Sequence, residues 1–290
     1  MQTDGVSGSK EGSAMGGVSE RIEPPSLVGR WPASELATVR LVRHGQTRTY
    51  QSDSGLTEVG RQQAYAKGAA LAGTLAPGAH VWLPHAPTAR AAETATAVRD
   101  GIADNLGSTA PERVRLDEPY IDTWFDNLRV WCDGRALDPT QAYATYRARR
   151  ADTSPDRLPG WFAEMDRFFS LQTCGEDPIT FWLTQPLQHF EPASVAVRRF
   201  WTGIQQAVRT GPEGLHLLVS THSGCIRAVA AAAFGYDPGE PRNTEDVTIQ
   251  IPRAADRAVL AYRGRAVELA VPAETRPPWC ATTQSIVREG

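Results

Sequence analysis

Residues 41–47 read Leu-Val-Arg-His-Gly-Gln-Thr and overlap the end of a short apolar segment, residues 37–42. The apolar segment predicts a β-strand, and Arg43-His44-Gly45 predicts a turn at its carboxyl end, where open α/β sheets bind their ligands. Arginine offers a planar set of donors that suits a phosphate, and histidine can act as a nucleophile toward phosphorus. Glycine allows a sharp turn and a close approach of the backbone to a ligand. The stretch therefore predicts a phosphate site.

Length and composition set limits on the class of protein. The chain has 290 residues, of which 41% are hydrophobic, and a net charge of −3. This is enough apolar residues for a core, and the charge does not favour nucleic-acid binding as the main activity. No apolar run approaches the ~20 residues that cross a bilayer, and no signal-peptide core is seen. We expect a cytoplasmic protein with neither a nucleic-acid nor a membrane partner, and a homodimer is left open.

The cysteines argue against a metal or disulfide framework. They are widely spaced and form no C-x-x-C pair, which is typical of a reduced protein. The four are Cys132, Cys174, Cys225 and Cys280.

Hydrophobic patterning predicts a three-layer α/β/α sandwich with a mostly parallel central sheet. Residues 1–35 are rich in glycine and serine, so we expect a disordered leader before a single domain over residues 36–290. Predicted strands alternate with predicted helices along that domain, which favours a parallel sheet covered on both faces. The strands are predicted at residues 37–42, 79–83, 114–116, 215–220, 247–251, 258–263 and 266–271. The helices are predicted from Thr57 to about residue 75, from Pro87 onward and over residues 225–234.

Residues 119–190 break the alternation. The segment is rich in aromatic residues and in proline, and its pattern is mainly helical. We interpret it as a helical, aromatic-rich cap inserted over the carboxyl edge of the sheet.

Three predicted strand ends carry basic or imidazole groups that could converge at one edge of the sheet. Arg43 and His44 follow the first strand, while Arg90 and His222 follow two later ones. A fourth strand end carries a carboxylate, Glu118. Two arginines, two histidines and one acid suit phosphoryl transfer, which depends on positioning and on neutralising the phosphoryl oxygens. The guanidinium and imidazole groups could supply the charge without a metal or another cofactor.

Four motifs carry a resemblance to a known family. They are Arg-His-Gly-Gln-Thr at 43–47, Leu-Thr-Glu-Val-Gly-Arg-Gln-Gln-Ala at 56–64, Ala-Pro-Thr-Ala-Arg-Ala-Ala-Glu-Thr-Ala at 86–95 and Val-Ser-Thr-His-Ser-Gly-Cys-Ile-Arg-Ala at 219–228. In this order they resemble the histidine phosphatase superfamily, in its phosphoglycerate mutase-like branch. The resemblance implies that His44 forms a phosphohistidine. It also implies that Arg43, Arg90 and His222 bind the phosphoryl group.

The resemblance also suggests a proton donor. Leu116-Asp117-Glu118 matches the Leu-x-Glu motif of one branch, which implies that Glu118 protonates the leaving oxygen. The residues that follow, Pro119 to Trp124, depart from the family pattern. Asp117 and Asp122 therefore remain alternatives for this role.

Several further polar and aromatic side chains are weaker candidates for ligand contact. Thr47 is a candidate phosphate ligand, although hydrogen bonding within the turn explains a threonine there equally well. The candidate substrate contacts are Gln46, His85, Trp124, Glu191 and Ser223. For each of these, a local structural role is the alternative.

The function predicted from the sequence is a metal-independent phosphatase that hydrolyses a small-molecule phosphate monoester through a phosphohistidine. The loop between Thr47 and Leu56 is short and lacks the Trp-Asn-rich segment of the glycolytic mutases, which favours hydrolysis over isomerisation. A mutase-type phosphotransferase remains one alternative. A non-catalytic protein that binds a phosphorylated ligand on the same fold is the other, because a fold alone does not establish activity.

Overall fold

The computed structural model describes residues 35–49, 51–107, 114–152, 154, 158–253 and 256–272. Its first half contains β1 (Leu36–Arg43), α1 (Glu58–Ala72), β2 (His80–Trp82), β3 (Pro84–His85), α2 (Ala89–Asn105), β4 (Arg115–Leu116), β5 (Tyr120–Ile121), β6 (Val130–Cys132) and β7 (Arg135–Leu137). The second half contains α3 (Pro139–Asp152), α4 (Gly160–Thr173), α5 (Pro178–Thr184), α6 (Ala193–Thr210), β8 (Leu215–Thr221), α7 (Ser223–Phe234), β9 (Asp246–Pro252), β10 (Arg257–Tyr262) and β11 (Arg265–Ala270).

Local sequence explains where several of these elements begin and end. Thr57 caps α1, because its hydroxyl accepts a hydrogen bond from the amide of Gly60. Gly235 ends α7 in the left-handed conformation, with φ of 75°, which glycine adopts without a steric cost. Along β8 the side chains alternate between the two faces of the sheet, so Leu217 and Leu218 enter different clusters of the core.

The central sheet runs in the order β11-β10-β9-β1-β8-β2-β4, and β3 joins β8 to β5 beside this path. Strands β1, β8, β2 and β4 pair in parallel, whereas β9, β10 and β11 add an antiparallel edge. Because the parallel strands share one direction, β1, β3 and β8 all deliver their following residues to the same edge.

Two hydrophobic clusters cover the two faces of the sheet. Helices α1 and α2 pack on one face, around Val81, Leu83 and Leu218. Helices α6 and α7 cover the other face, and the aromatic side chains of α4 join the same cluster. The cap is therefore continuous with the core of the sandwich.

The three-layer fold predicted from the sequence is confirmed, with strand and helix ends that shift by a few residues. The cap contains the helices α3, α4 and α5, as predicted, and β6 and β7 add a hairpin to it. Its turn is Asp133-Gly134, both with positive φ, the dipeptide that favours tight hairpins.

The predicted leader lies outside the described residues apart from Glu35. Among the described helices, none is both long and apolar enough to span a bilayer.

Glycine allows α1 and α2 to pack with their backbones in close approach. A Cβ atom on Gly68 would lie 2.0 Å from the carbonyl oxygen of Val98, whereas one on Gly73 would meet nothing within 4 Å. We expect Gly68→Ala to lower the free energy of unfolding by about 1–3 kcal/mol, because the helices must move apart. Gly73→Ala should change it by less than about 0.5 kcal/mol. Urea denaturation of both variants measures this, and equal stabilities would contradict the packing argument.

Candidate active site

Four predicted site residues line one cavity of about 360 Å³ at the carboxyl edge of the sheet: Arg43, His44, Arg90 and His222. Strands β1 and β8 end side by side, with Arg43 opposite Thr221. The amide of His44 donates to the carbonyl of Thr221 at 2.9 Å, so the residues that follow the two strands lie next to each other. Arg90 comes from the first turn of α2, just beyond β3.

A backbone contact and burial set the tautomer and the charge of the His44 imidazole. Its Nδ1 lies 2.8 Å from the carbonyl oxygen of Gly45, and since a carbonyl only accepts, Nδ1 carries the proton. Burial, and secondarily the charge of Arg90, lowers the pKa of His44 to about 3. Nε2 is therefore unprotonated at neutral pH, which is the state that a nucleophile requires.

His222 lies against His44, with 5.3 Å between the ring centroids and an interplanar angle of 63°. Its Nε2 lies 3.3 Å from the hydroxyl oxygen of Thr88. Burial, followed by the charge of Arg90, lowers the pKa of His222 well below the usual value. Both rings are thus uncharged before ligand binding, and the positive charge of the site comes from arginine.

Arg43 is positioned by the loop between α7 and β9. Its guanidinium donates to the carbonyl of Pro241 and forms an ion pair with Glu240 at 3.0 Å. The Glu240 side chain is 43% exposed and lies 3.4 Å from a second cation, Arg227. A carboxylate with this exposure can turn away when a phosphoryl group binds Arg43.

Arg90 is held by two carboxylates. It forms ion pairs with Asp53 at 3.1 Å and with Asp138 at 3.3 Å. Asp138 is itself buried, and it accepts a hydrogen bond of 2.8 Å from the side chain of Asn127. Asp138 therefore fixes the guanidinium plane of Arg90, which leaves less conformational freedom to lose when a ligand binds.

Gly45 is required by the packing of the protein itself. A Cβ atom there would lie 2.4 Å from the carbonyl oxygen of Gly60 at the start of α1. Its amide also donates to the hydroxyl of Thr94 on α2 at 3.0 Å. The glycine thus lets two helices fix the turn that carries His44, a packing role beyond the sharp turn and the close approach to a ligand that its sequence position predicts.

The structure does not bring Glu118 to the cavity. Its side chain is 77% exposed and forms an ion pair with Arg99. Arg99 lies nine residues beyond Arg90 on α2, about 13.5 Å along the helix axis. Asp117 pairs with His80 at the same outer edge of the sheet. Neither carboxylate is placed to reach a group bound at His44.

Asp122 has a different position, because it directly follows β5. Strand β5 pairs in parallel with β3, and the amide of Asp122 donates to the carbonyl of His85 at 3.0 Å. This places Asp122 at the carboxyl end of a strand, beside the segment that leads into Arg90, although Asp122 does not line the cavity and its carboxylate accepts a hydrogen bond of 3.0 Å from the amide of Trp124. Burial raises the pKa of Asp122, which favours the protonated form that an acid catalyst needs.

Of the weaker candidates, Ser223 lines the cavity as the first residue of α7. Thr47 donates to the carbonyl of Gly55 at 2.9 Å, and the Gln46 side chain accepts a bond from Thr57. Both therefore make hydrogen bonds within their own loop, and neither lines the cavity.

The other three candidates lie outside the cavity wall. His85 is buried, with its Nδ1 2.9 Å from the carbonyl of Ala86. The Trp124 indole donates to Gln206 on α6. Glu191 is buried in a two-bond pair with Arg199 at 3.0 and 2.9 Å, which makes it a structural carboxylate.

Sequence reasoning missed the carboxylates that hold the arginines. Asp138 precedes Pro139 at the start of α3, a helix-start signal that could have marked it. Asp53 and Glu240 lie in loops without a distinguishing pattern, and only the folded chain brings them to the site.

Residues 39–125 match the sequence model of a family described as the histidine phosphatase superfamily (branch 1). The match includes the first three of the four motifs and confirms the resemblance drawn from them. A search of curated proteins finds no match to this chain.

Solved structures of similar fold were also found. YhfR of Bacillus stearothermophilus is 22% identical, with a TM-score of 0.49 over 79% of this chain and 97% of that one. A phosphoglycerate mutase from Bacillus anthracis str. Sterne is 17% identical, with a TM-score of 0.47 over 80% and 95% of the two chains. A mycobacterial glucosyl-3-phosphoglycerate phosphatase is 21% identical, with a TM-score of 0.42 over 74% and 90%.

The lowered pKa of His44 makes the stability of the fold depend on pH. Below about pH 6.5 the unfolded chain takes up a proton on this residue while the folded chain does not, so the free energy of unfolding falls as the pH falls. We expect His44→Asn to reduce that slope between pH 6.5 and 5 by up to about 1.4 kcal/mol per pH unit. Urea denaturation at several pH values measures the slope, and identical slopes in the two proteins would contradict a neutral buried His44.

Proposed function

We propose that this chain, whose residues 39–125 match the model of the histidine phosphatase superfamily (branch 1), is a phosphatase that hydrolyses small-molecule phosphate monoesters through a phosphohistidine on His44. The observation that carries the proposal is the buried His44 ring, with Nδ1 2.8 Å from the Gly45 carbonyl oxygen and its pKa lowered by burial, in a cavity shared with Arg43, Arg90 and His222. The match to the superfamily model supports phosphoryl transfer. Hydrolysis of a monoester is the finer proposal.

In the first step, Nε2 of His44 attacks phosphorus, and the N–P bond forms as the P–O bond to the alcohol breaks. Arg43 and Arg90 offset the charge on the phosphoryl oxygens, and Glu240 leaves Arg43 to make room for one of them. In the second step, water attacks the phosphohistidine, the N–P bond breaks, and inorganic phosphate is released. His44 returns to its neutral form.

The leaving oxygen needs a proton, and we assign this role to Asp122. Its place after β5 and the upward shift of its pKa by burial support the assignment. The exposed ion pair of Glu118 with Arg99 argues against the acid first suggested by the Leu-x-Glu motif. The Asp122 carboxylate formed in the first step then accepts a proton from the attacking water.

The first test is the hydrolysis of p-nitrophenyl phosphate in EDTA. We expect wild type to release phosphate and His44→Ala to lose about 10⁴-fold or more in kcat, because His44 carries the phosphoryl group in the proposed intermediate. His189→Ala, which removes a histidine outside the cavity, is the matched control and should keep full activity. With ³²P-labelled substrate, label that stays on wild type after denaturation in alkali and is absent from His44→Ala would identify the phosphohistidine on His44.

Other results of this test favour the alternatives. Binding of inorganic phosphate without turnover by wild type would favour a non-catalytic binding protein. Transfer of the label to a second alcohol in preference to water would favour a mutase-type phosphotransferase.

The proton donor is tested with leaving groups of different basicity. We expect Asp122→Asn to lower kcat by about 10²-fold or more for an alkyl phosphate, whose alkoxide must be protonated. The loss should be much smaller for p-nitrophenyl phosphate, whose leaving group needs no proton. Glu118→Gln is the matched control and should behave as wild type with both substrates. A loss confined to Glu118→Gln would overturn the assignment.

A further inference from the structure

The cavity continues from the two histidines into an apolar region beneath the cap. Its far wall is built by the start of α3, the end of α4, the start of α5 and the segment before β6. The apolar side chains of this wall are Leu128, Pro139, Phe168, Phe169, Pro178 and Ile179. The volume of the whole cavity, about 360 Å³, lies near the lower end of the range of about 300–1,000 Å³ for small-molecule sites. After a phosphoryl group is seated, the remaining space suits an alcohol of modest size.

The floor of this region is closed by tight packing around Gly224. A Cβ atom at that position would lie 3.2 Å from methyl groups of both Leu128 and Ile179. The apolar wall is therefore held against α7, the helix that begins next to His222. A ligand bound to the two arginines would place its alcohol part against this wall.

The cavity lining carries more carboxylates than cations. Among the described lining residues, Arg43 and Arg90 are the cations, and both are assigned to the phosphoryl group. The carboxylates, which we call the acidic rim, are Glu176, Asp177 and Glu240, and Glu240 also pairs with Arg43. Asp177 and Glu240 are paired with Arg227, while Glu176 forms no ion pair with any described residue. A second anionic group on the ligand would lie beside acids and meet no free cation.

We propose that the substrate of this phosphatase is the monophosphate ester of an apolar alcohol without a second anionic group. The alcohol part packs against the wall formed by Leu128, Phe169 and Ile179, and the carboxylates of the acidic rim select against a second anion. This inference rests on the proposed phosphatase function. Burial of the alcohol part against the wall supplies affinity, and the rim carboxylates discriminate against phosphorylated carboxylic acids and bisphosphates.

Three primary alkyl phosphates with leaving oxygens of similar basicity test the proposal: 2-phenylethyl phosphate, glycerol 1-phosphate and 3-phosphoglycerate. We expect kcat/KM for 2-phenylethyl phosphate to exceed that for glycerol 1-phosphate by about tenfold or more, in the range seen for apolar pockets. The value for 3-phosphoglycerate should be lower again. Equal or higher values for 3-phosphoglycerate, with the dependence on His44 retained, would overturn the substrate class while leaving the phosphatase function intact.

A charge reversal on the rim isolates the electrostatic part. Glu176 is exposed, so Glu176→Lys should fold normally, and we expect it to raise kcat/KM for 3-phosphoglycerate about fivefold relative to 2-phenylethyl phosphate. Glu213→Lys makes the same change of charge at an exposed residue that precedes β8, at the opposite end of the sheet. It should leave the ratio unchanged. Equal ratios in all three proteins would contradict selection by the rim.

Binding separates the two proposals if turnover fails. Calorimetry on the wild-type chain compares 3-phenylpropylphosphonate with 3-phosphonopropionate, neither of which can be hydrolysed. Tighter binding of the phenyl compound without hydrolysis of any ester would contradict the phosphatase function and support the ligand class. Tighter binding of the carboxylate compound would contradict the ligand class directly.

Discussion

The hydrogen bond from Nδ1 of His44 to the carbonyl of Gly45 is the interaction on which the chemistry of this site depends. It fixes the tautomer, so the lone pair lies on Nε2, and it holds the ring in one orientation. Burial keeps that ring neutral beside two arginines. The turn that carries His44 is held by the close packing of Gly45 against Gly60 on α1 and by the hydrogen bond from the Gly45 amide to Thr94 on α2. The two helices on one face of the sheet thus position a nucleophile that belongs to its edge.

The arginines are arranged on a related principle. A buried guanidinium is costly unless it is paired, and here carboxylates supply that pairing. Asp138 is buried and fixed, whereas Glu240 is partly exposed and also close to Arg227. One carboxylate therefore orients an arginine, while the other can give way to a phosphoryl oxygen. In the proposed account, Glu240 acts together with Glu176 and Asp177 to make the rest of the cavity unfavourable for a second anion.

The predicted site residues that share one cavity are those whose position depends on a strand end. Arg43 ends β1, His44 and His222 directly follow β1 and β8, and Arg90 lies in the first turn of α2, five residues after β3, so a parallel sheet brings them together. Glu118 lies outside the cavity, between β4 and β5, where the strand partner shifts from β2 to β3. That shift favours Asp122 over Glu118 as the proton donor, and the Leu-x-Glu motif alone does not show it. Asp53 and Glu240 come from loops, where pattern carries little information. The Asp133-Gly134 dipeptide is typical of a hairpin turn, whereas the aromatic pattern around it favours a helical prediction for the cap.

The central claim is that His44 is a neutral imidazole with its proton on Nδ1. Long-range ¹H–¹⁵N correlation spectra of the ring at pH 7 test it most directly, with His44→Asn used to assign the signals. The account predicts a protonated Nδ1 and an unprotonated Nε2 that persist well below pH 6. An imidazolium at pH 7, or a proton on Nε2, would contradict it.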